Sequence, residues 1–429
     1  MLEDTKYHYL KNGIRLIFMP TEKFKTISMG LFVHQALTPE RAAYNALLPS
    51  VLEQGSSDYP DYLSLQQKLE SLYGADVATD IVKSGERHIL AFTMETAHDR
   101  YLGENGRLLA EGMSVLGSVI GNPLVENNAF REDYVRQEKN QLIKDIRAML
   151  NDKVSYALER CLALMCADEN FGVFKLGRIE DYEQIDPAGL YDYYQILFNR
   201  NPIDLYVIGD LDEKLVRETA DSKFGFPRNG ETLELSGTEI MRPVEKINFH
   251  EEEMAVNQSK LVMGYRTYTS YQDDLYCALL VYSGILGGFP HSKLFMNVRE
   301  EAGLAYYIHS RLEKHKGLMV ISAGINYEEC DKAREIIEQQ LADMGEGNIS
   351  DVELDNTKQG LVNQLRSRQD SPSQLISFHL DSSVGGKTYT IEELAAGIEA
   401  VGLEELKAVA DRVKLDTVYL LRPREGGSV

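Results

Sequence analysis

The chain has 429 residues, too many for one ordinary hydrophobic core, so two or more domains are expected. Its 43% hydrophobic and 26% charged residues are the composition of a soluble globular protein. A formal net charge of −22 argues against nucleic acid or an anionic membrane as partner, because both require a basic face. The four cysteines, Cys161, Cys166, Cys277 and Cys330, include no C-x-x-C pair and read as reduced thiols. The first residues lack the basic and apolar segments of a signal peptide, and no apolar run is long enough to cross a bilayer. A cytoplasmic protein is expected.

Residues 7–10 and 14–19 flank Lys11-Asn12-Gly13 and predict a hairpin around an Asn-Gly turn. Residues 26–33 alternate as a strand, and 39–52 carry apolar residues at helical spacing. A loop at 53–60 precedes a helix over 62–72, closed by Gly74. Paired strands are predicted at 77–82 and 88–95, then a long helix at 99–116. Residues 131–150 give the clearest amphipathic helix, with Val135, Leu142, Ile146 and Met149 on one stripe. Helical texture continues to Met165, and residues 171–177 form a loop. A helix over 186–198 and a strand over 203–208 come next. Between Phe226 and His250 the chain turns polar and broken by Pro227, Asn229-Gly230, Gly237 and Pro243. The expected organisation is a first half over 1–227, a linker over 228–249 and a second half over 250–429.

The second half restarts the pattern of the first. Ala46-Leu47-Leu48 stands nine residues before Gly55, and Ala278-Leu279-Leu280 nine before Gly287. The helix closed by Gly74 corresponds to one closed by Gly303. In that second helix Ser292 is the candidate N-cap, and Leu294, Phe295 and Val298 recur at helical spacing. Beyond Gly303 the period becomes two, with Leu304, Tyr306 and Ile308 on one face of a strand. Arg299 and Tyr306 thus flank one tight helix-to-strand corner.

The block Gly287-Gly288 to Tyr306 resembles the C-terminal signature of the pitrilysin (insulinase, mitochondrial processing peptidase) family, G-G-x-x-S-[RK]-L-F-x-x-V-R-E-x-x-G-L-A-Y. The resemblance implies an α+β fold of two homologous halves, each a mostly antiparallel sheet with helices packed on one side. It also implies that Arg299 and Tyr306 bind substrate peptide. The family's zinc motif, H-x-x-E-H, falls on Ala46-Leu47-Leu48-Pro49-Ser50. Two histidines at that spacing would share a helix face and ligate zinc, and the glutamate would activate water. Ala46 and Ser50 cannot replace them, and Pro49 is no acid. The downstream pair of family glutamates maps to Glu138 and Asp145, the second being the ligand position. No other constellation of catalytic or metal-binding residues is complete: there is no H-E-x-x-H, nucleophile elbow, phosphate loop or dinucleotide fingerprint.

Two functions stay open at this point. One is a non-catalytic, substrate-binding subunit of a two-chain zinc peptidase, without cofactor of its own. Its partner would be a homologue with an intact H-x-x-E-H, and the pair would close a clam-shaped chamber around a peptide or protein substrate. The other is a catalytically inert scaffold used for assembly or protein binding. Whether the chain pairs with a second copy when expressed alone is left open. Within the family it is similar to Bacillus-type subunits associated with 5-aminopentanol modification of elongation factor P.

Overall fold

The computed structural model describes residues 4–103 and 107–424. The chain divides into two compact units. The first comprises the chain up to Arg147, Val173–Gly237 and the short piece Pro372–Ser377. The second comprises Ala148–Gly172, Thr238–Ser371 and the chain from Phe378 onward.

The first unit is built on strands β1 (Lys6–Tyr9), β2 (Arg15–Pro20), β3 (Thr26–Ala36), β4 (Asp76–Ser84) and β5 (Arg87–Ala97). A two-residue hairpin, β6 (Val125–Glu126) with β7 (Ala129–Phe130), and then β8 (Ile203–Gly209) complete it. The main sheet has the order β1-β2-β8-β3-β5-β4, with β2 and β8 parallel and the other neighbours antiparallel. The expected Asn-Gly hairpin joins β1 to β2, with Gly13 at φ +83° where a side chain would be strained. Helices α1 (Pro39–Glu53), α2 (Tyr62–Ser71), α3 (Arg107–Gly121) and α4 (Glu132–Met149) come in order. Next are α5 (Lys153–Met165), α6 (Ile179–Glu183), α7 (Pro187–Arg200) and α8 (Glu213–Lys223), of which α5 belongs to the second unit.

The second unit uses β9 (Asn248–Met254), β10 (Ser259–Arg266), β11 (Ala305–Glu313), β12 (Leu318–Ile325) and β13 (Lys414–Pro423). Their order is β11-β12-β10-β13-β9, with β9 and β13 parallel. Taken from the other end, β9-β13-β10-β12-β11 repeats β2-β8-β3-β5-β4, strand for strand and sense for sense. The sequence repeat is therefore a structural one. Helices α9 (Tyr276–Ser283), α10 (Cys330–Glu346), α11 (Asp351–Ser367), α12 (Pro372–Gly385), α13 (Ile391–Ala400) and α14 (Leu403–Arg412) complete the chain. Between α8 and β9 it takes no regular element.

Two local expectations are corrected. The long helix over 99–116 is a short 3-10 turn, Asp99–Tyr101, followed by α3 from Arg107. Gly103 takes φ +72°, and the buried Asp99 carboxylate accepts the Leu108 N–H at 2.8 Å near the start of α3. Second, residues 148–172 lie inside the stretch assigned to the first half, yet pack in the second unit. Tyr156, Ala157, Cys161, Leu162 and Met165 of this segment share a core with Val262, Val320, Tyr419 and Leu421. The approach is close: a Cβ at Gly264 would lie 2.7 Å from the Met165 sulfur.

Candidate functional site

The positions expected for the zinc motif, Ala46, Pro49 and Ser50, sit on α1. Its inner face, Ala42, Ala43, Ala46, Leu47 and Leu48, is buried in the first unit's core. Ala46 is 3% exposed, so the position expected for the first ligand holds a core methyl group. Pro49 is buried inside the helix, which runs on to Glu53 in spite of the backbone donor it removes. Ser50 is only half-buried. The acids near this end of α1 have turned to protein partners. Thr79 Oγ1 donates to Glu53 Oε2 at 2.6 Å, and Gln54 Nε2 donates to Glu138 Oε1 at 3.0 Å. Burial raises the Glu53 and Glu138 carboxyls above the usual range. Asp145 is exposed and accepts from Gln141 Nε2 at 2.8 Å. This donor set does not fit catalytic zinc, which needs three converging ligands of His and carboxylate type. Among the described residues no group of three or more His, Cys, Asp or Glu could hold a metal ion.

The corner carrying Arg299 and Tyr306 is intact and more specialised than its sequence suggests. After α9 the backbone takes π-helical turns over Gly284–Gly288, kinked at Gly287 where φ is −157° and ψ 17°, and again winds as a π-helix over Phe295–Glu301. Each such turn inserts an extra residue and re-aims the side chains beyond it. The expected Ser292 side-chain cap is absent: its Oγ is buried with no partner among the described residues, while its carbonyl accepts from Met296 N–H at 2.9 Å. Leu294 and Val298 are fully buried anchors. Asn297 Nδ2 donates to the Lys293 carbonyl and to Gln340 Oε1, both at 2.8 Å, and Lys293 pairs with Glu353 at 2.9 Å. Gly303 closes the turn at φ +64°, and Leu304 N–H reaches back to Val298 O at 3.0 Å.

Strand β11 then begins with an irregularity. Ala305 pairs with Ile325 and Tyr307 with Gly324, so Tyr306 is an extra residue in a bulge. That is why Tyr306 does not share a face with buried Leu304 and Ile308: it is 67% exposed. Arg299 stands 41% exposed, its guanidinium 4.7 Å from the centre of the Phe295 ring and its Nε 3.7 Å from Glu300. Among the described residues neither the Arg299 nor the Tyr306 side chain makes a hydrogen bond, so both present free polar groups. The sequence pattern places Phe295 only among the apolar residues of the helix; its role as the guanidinium's support was missed, although the spacing of four from Arg299 was a usable signal.

The family model of the peptidase M16 inactive domain matches residues 184–361. The probable inactive metalloprotease YmfF of Bacillus subtilis is 36% identical over 418 residues, covering 97% of each chain. The chain belongs to the M16 peptidase family. A second relative of this M16 chain is the uncharacterized zinc protease YmxG of Bacillus subtilis, 22% identical over 421 residues and covering 94% of each chain. Among solved structures, a conserved protein of Enterococcus faecalis superposes with a TM-score of 0.91 at 29% identity, covering 99% of this chain and 100% of that one. The pitrilysin-type fold expected from the signature is thus the fold of the molecule. The matching family model is that of the M16 inactive domain, and the positions expected for the zinc motif hold Ala46, Pro49 and Ser50. No helix among the described residues is long and apolar enough to cross a membrane.

Proposed function

We propose that this chain is the non-catalytic, substrate-binding subunit of a two-chain M16 peptidase. A homologous partner with an intact H-x-x-E-H supplies the zinc and its bound water. This chain supplies Arg299 and Tyr306, which hold the backbone of an extended peptide. The observation that carries the reading is the contrast within one molecule. The zinc positions have been absorbed into core and protein hydrogen bonds, whereas the Arg–Tyr corner keeps free donors on an anchored scaffold. Arg299 offers a planar fork of donors to a carbonyl or carboxylate, and Tyr306 adds a hydroxyl from the bulged edge strand β11. An unpaired sheet edge beside these donors suits a peptide that adds as a strand. The resemblance to Bacillus-type subunits associated with 5-aminopentanol modification of elongation factor P extends the proposal to a role linked to that modification.

The test is peptide cleavage by the reconstituted pair. Lost charge-assisted hydrogen bonds cost about 1.5–3 kcal/mol, so Arg299→Ala should lower turnover roughly ten- to a hundred-fold while pairing and folding persist. Tyr306→Phe should lower it less. If the pair forms and both variants cleave at the wild-type rate, the substrate role fails and the chain is an inert scaffold.

A further inference from the structure

A cavity of about 280 Å³ opens in the helical layer of the second unit. Its wall is apolar, formed by Leu280, Leu312, Leu361, Phe378, Leu394 and Ile398 from α9, β11, α11, α12 and α13. Phe378, Leu394 and Ile398 are buried, while Leu280, Leu312 and Leu361 are half-buried. One end is polar. Asp381 is ion-paired with Lys314, and His315 Nε2 lies 3.2 Å from its other oxygen. Burial opposes ionisation of Asp381, yet the hydrogen bonds from His315 and Lys314 hold its carboxyl below the usual range. Tyr271 closes this end, stacked on His315 at 5.2 Å, with its hydroxyl 3.1 Å from Ser382 Oγ.

The remaining lining cation is Arg368. Its Nη1 is 3.9 Å from Asp381 Oδ2, beyond hydrogen-bond range, and among the described residues its guanidinium makes no hydrogen bond. Two fixed cations therefore face one carboxylate, and the cation nearer solvent has its donors unused. The half-buried Asp381 carboxylate is already ion-paired with Lys314, so the unmatched charge belongs to Arg368.

We propose that this cavity binds a medium-chain carboxylate, its alkyl tail along the leucine wall and its head on Arg368. The size agrees: an apolar cavity of about 150 Å³ accommodates benzene, so this one takes about ten heavy atoms. The chemistry agrees as well. A planar guanidinium accepts a carboxylate in two parallel hydrogen bonds, whereas an alkylamine of the same length would meet two cations. The tail gains by leaving water in proportion to its apolar area.

Isothermal titration of the full chain with octanoate, 1-octanol and octylamine tests the assignment. Octanoate should bind saturably, about ten- to a hundred-fold more tightly than octanol, the ratio expected from one charged hydrogen-bonded head. Octylamine should give no saturable binding. Arg368→Gln, at a partly exposed helix end, should bring octanoate down to the octanol affinity and leave octanol unchanged. Leu361→Trp, which fills the cavity from a half-buried position, should abolish both. The assignment is overturned by absence of saturable octanoate binding at near-millimolar concentration, by equal binding of octylamine, or by undiminished octanoate affinity in folded Arg368→Gln.

Discussion

Replacing Glu169 by alanine should destabilise the second unit more than almost any other single truncation outside its apolar core. The Glu169 side chain is 1% exposed and accepts from Arg266 Nη2 at 2.6 Å, Arg266 Nη1 at 3.3 Å and Lys316 Nζ at 2.7 Å. Arg266 and Lys316 are themselves buried, at 3% and 1% exposure. Removing the carboxylate would strand two cations in the interior, a loss of about 3–5 kcal/mol for a buried pair broken on one side. Partial compensation remains, because Arg266 keeps Asp416 at 2.7 Å and Lys316 keeps the Glu239 carbonyl at 2.6 Å. The expected cost is therefore about 3–4 kcal/mol, or about 6–16 °C in Tm for a unit of this size. Burial alone would raise the Glu169 carboxyl, but hydrogen bonds from Arg266 and Lys316 outweigh it and lower it below the usual range. A depressed carboxyl stabilises above its unfolded pKa, and that contribution is lost as pH falls through the folded value. Calorimetry of wild type and Glu169→Ala near neutral pH and in acid checks both points: the gap should narrow on acidification. A loss below about 1 kcal/mol at neutral pH would mean that the network behaves like a surface ion pair.

Restoring Ala46→His, Pro49→Glu and Ser50→His together should not create a zinc peptidase. Position 46 is packed in the core, and Asp145 is exposed, engaged by Gln141 and one methylene shorter than glutamate; stoichiometric zinc with chelator-sensitive cleavage by the triple variant would refute this. Limited proteolysis should first cut between Glu234 and Thr238. Upstream, Arg228 donates to the carbonyls of Phe198 and Asn201 at 2.7 Å and Leu233 N–H to Arg200 O at 2.8 Å, while Lys316 holds the Glu239 carbonyl downstream. A first cut inside α4 would count against that site.

The sequence made the repeat legible because each half must bury one sheet face, and the same alternation and helix breaks recur at Gly74 and Gly303. What it could not reveal was partner choice. The apolar stripe Tyr156, Cys161 and Met165 on α5 is the same whichever sheet it covers, so its membership in the second unit is a tertiary fact. The 3-10 turn at Asp99 escaped for a related reason: a buried aspartate that caps a later helix reads, one residue at a time, like an ordinary helical acid. At the corner, residue types were informative and geometry was not. Neither the π-helical winding at Phe295–Glu301 nor the bulge at Tyr306 alters composition or period enough to register, yet the bulge decides which way Tyr306 points.

That corner has a counterpart in its own repeat. In the first unit the corresponding turn also passes through a left-handed glycine, Gly74 at φ +74°, before entering an edge strand. There, however, α2 is an ordinary α-helix and β4 pairs with β5 without a register shift. Val77, the counterpart of Tyr306, stays 6% exposed in the core, and Glu70, the counterpart of Arg299, is an exposed acid. Topology and the left-handed turn are common to both halves, so the fold alone does not require an arginine and an outward tyrosine. The added features are a π-helical winding and a bulge, and both displace side chains from their regular positions. Such irregularities forfeit ideal hydrogen bonding and persist where the displaced side chains are used. In the second unit they bring out two side chains with no hydrogen bond among the described residues, which supports the substrate-binding role proposed for Arg299 and Tyr306.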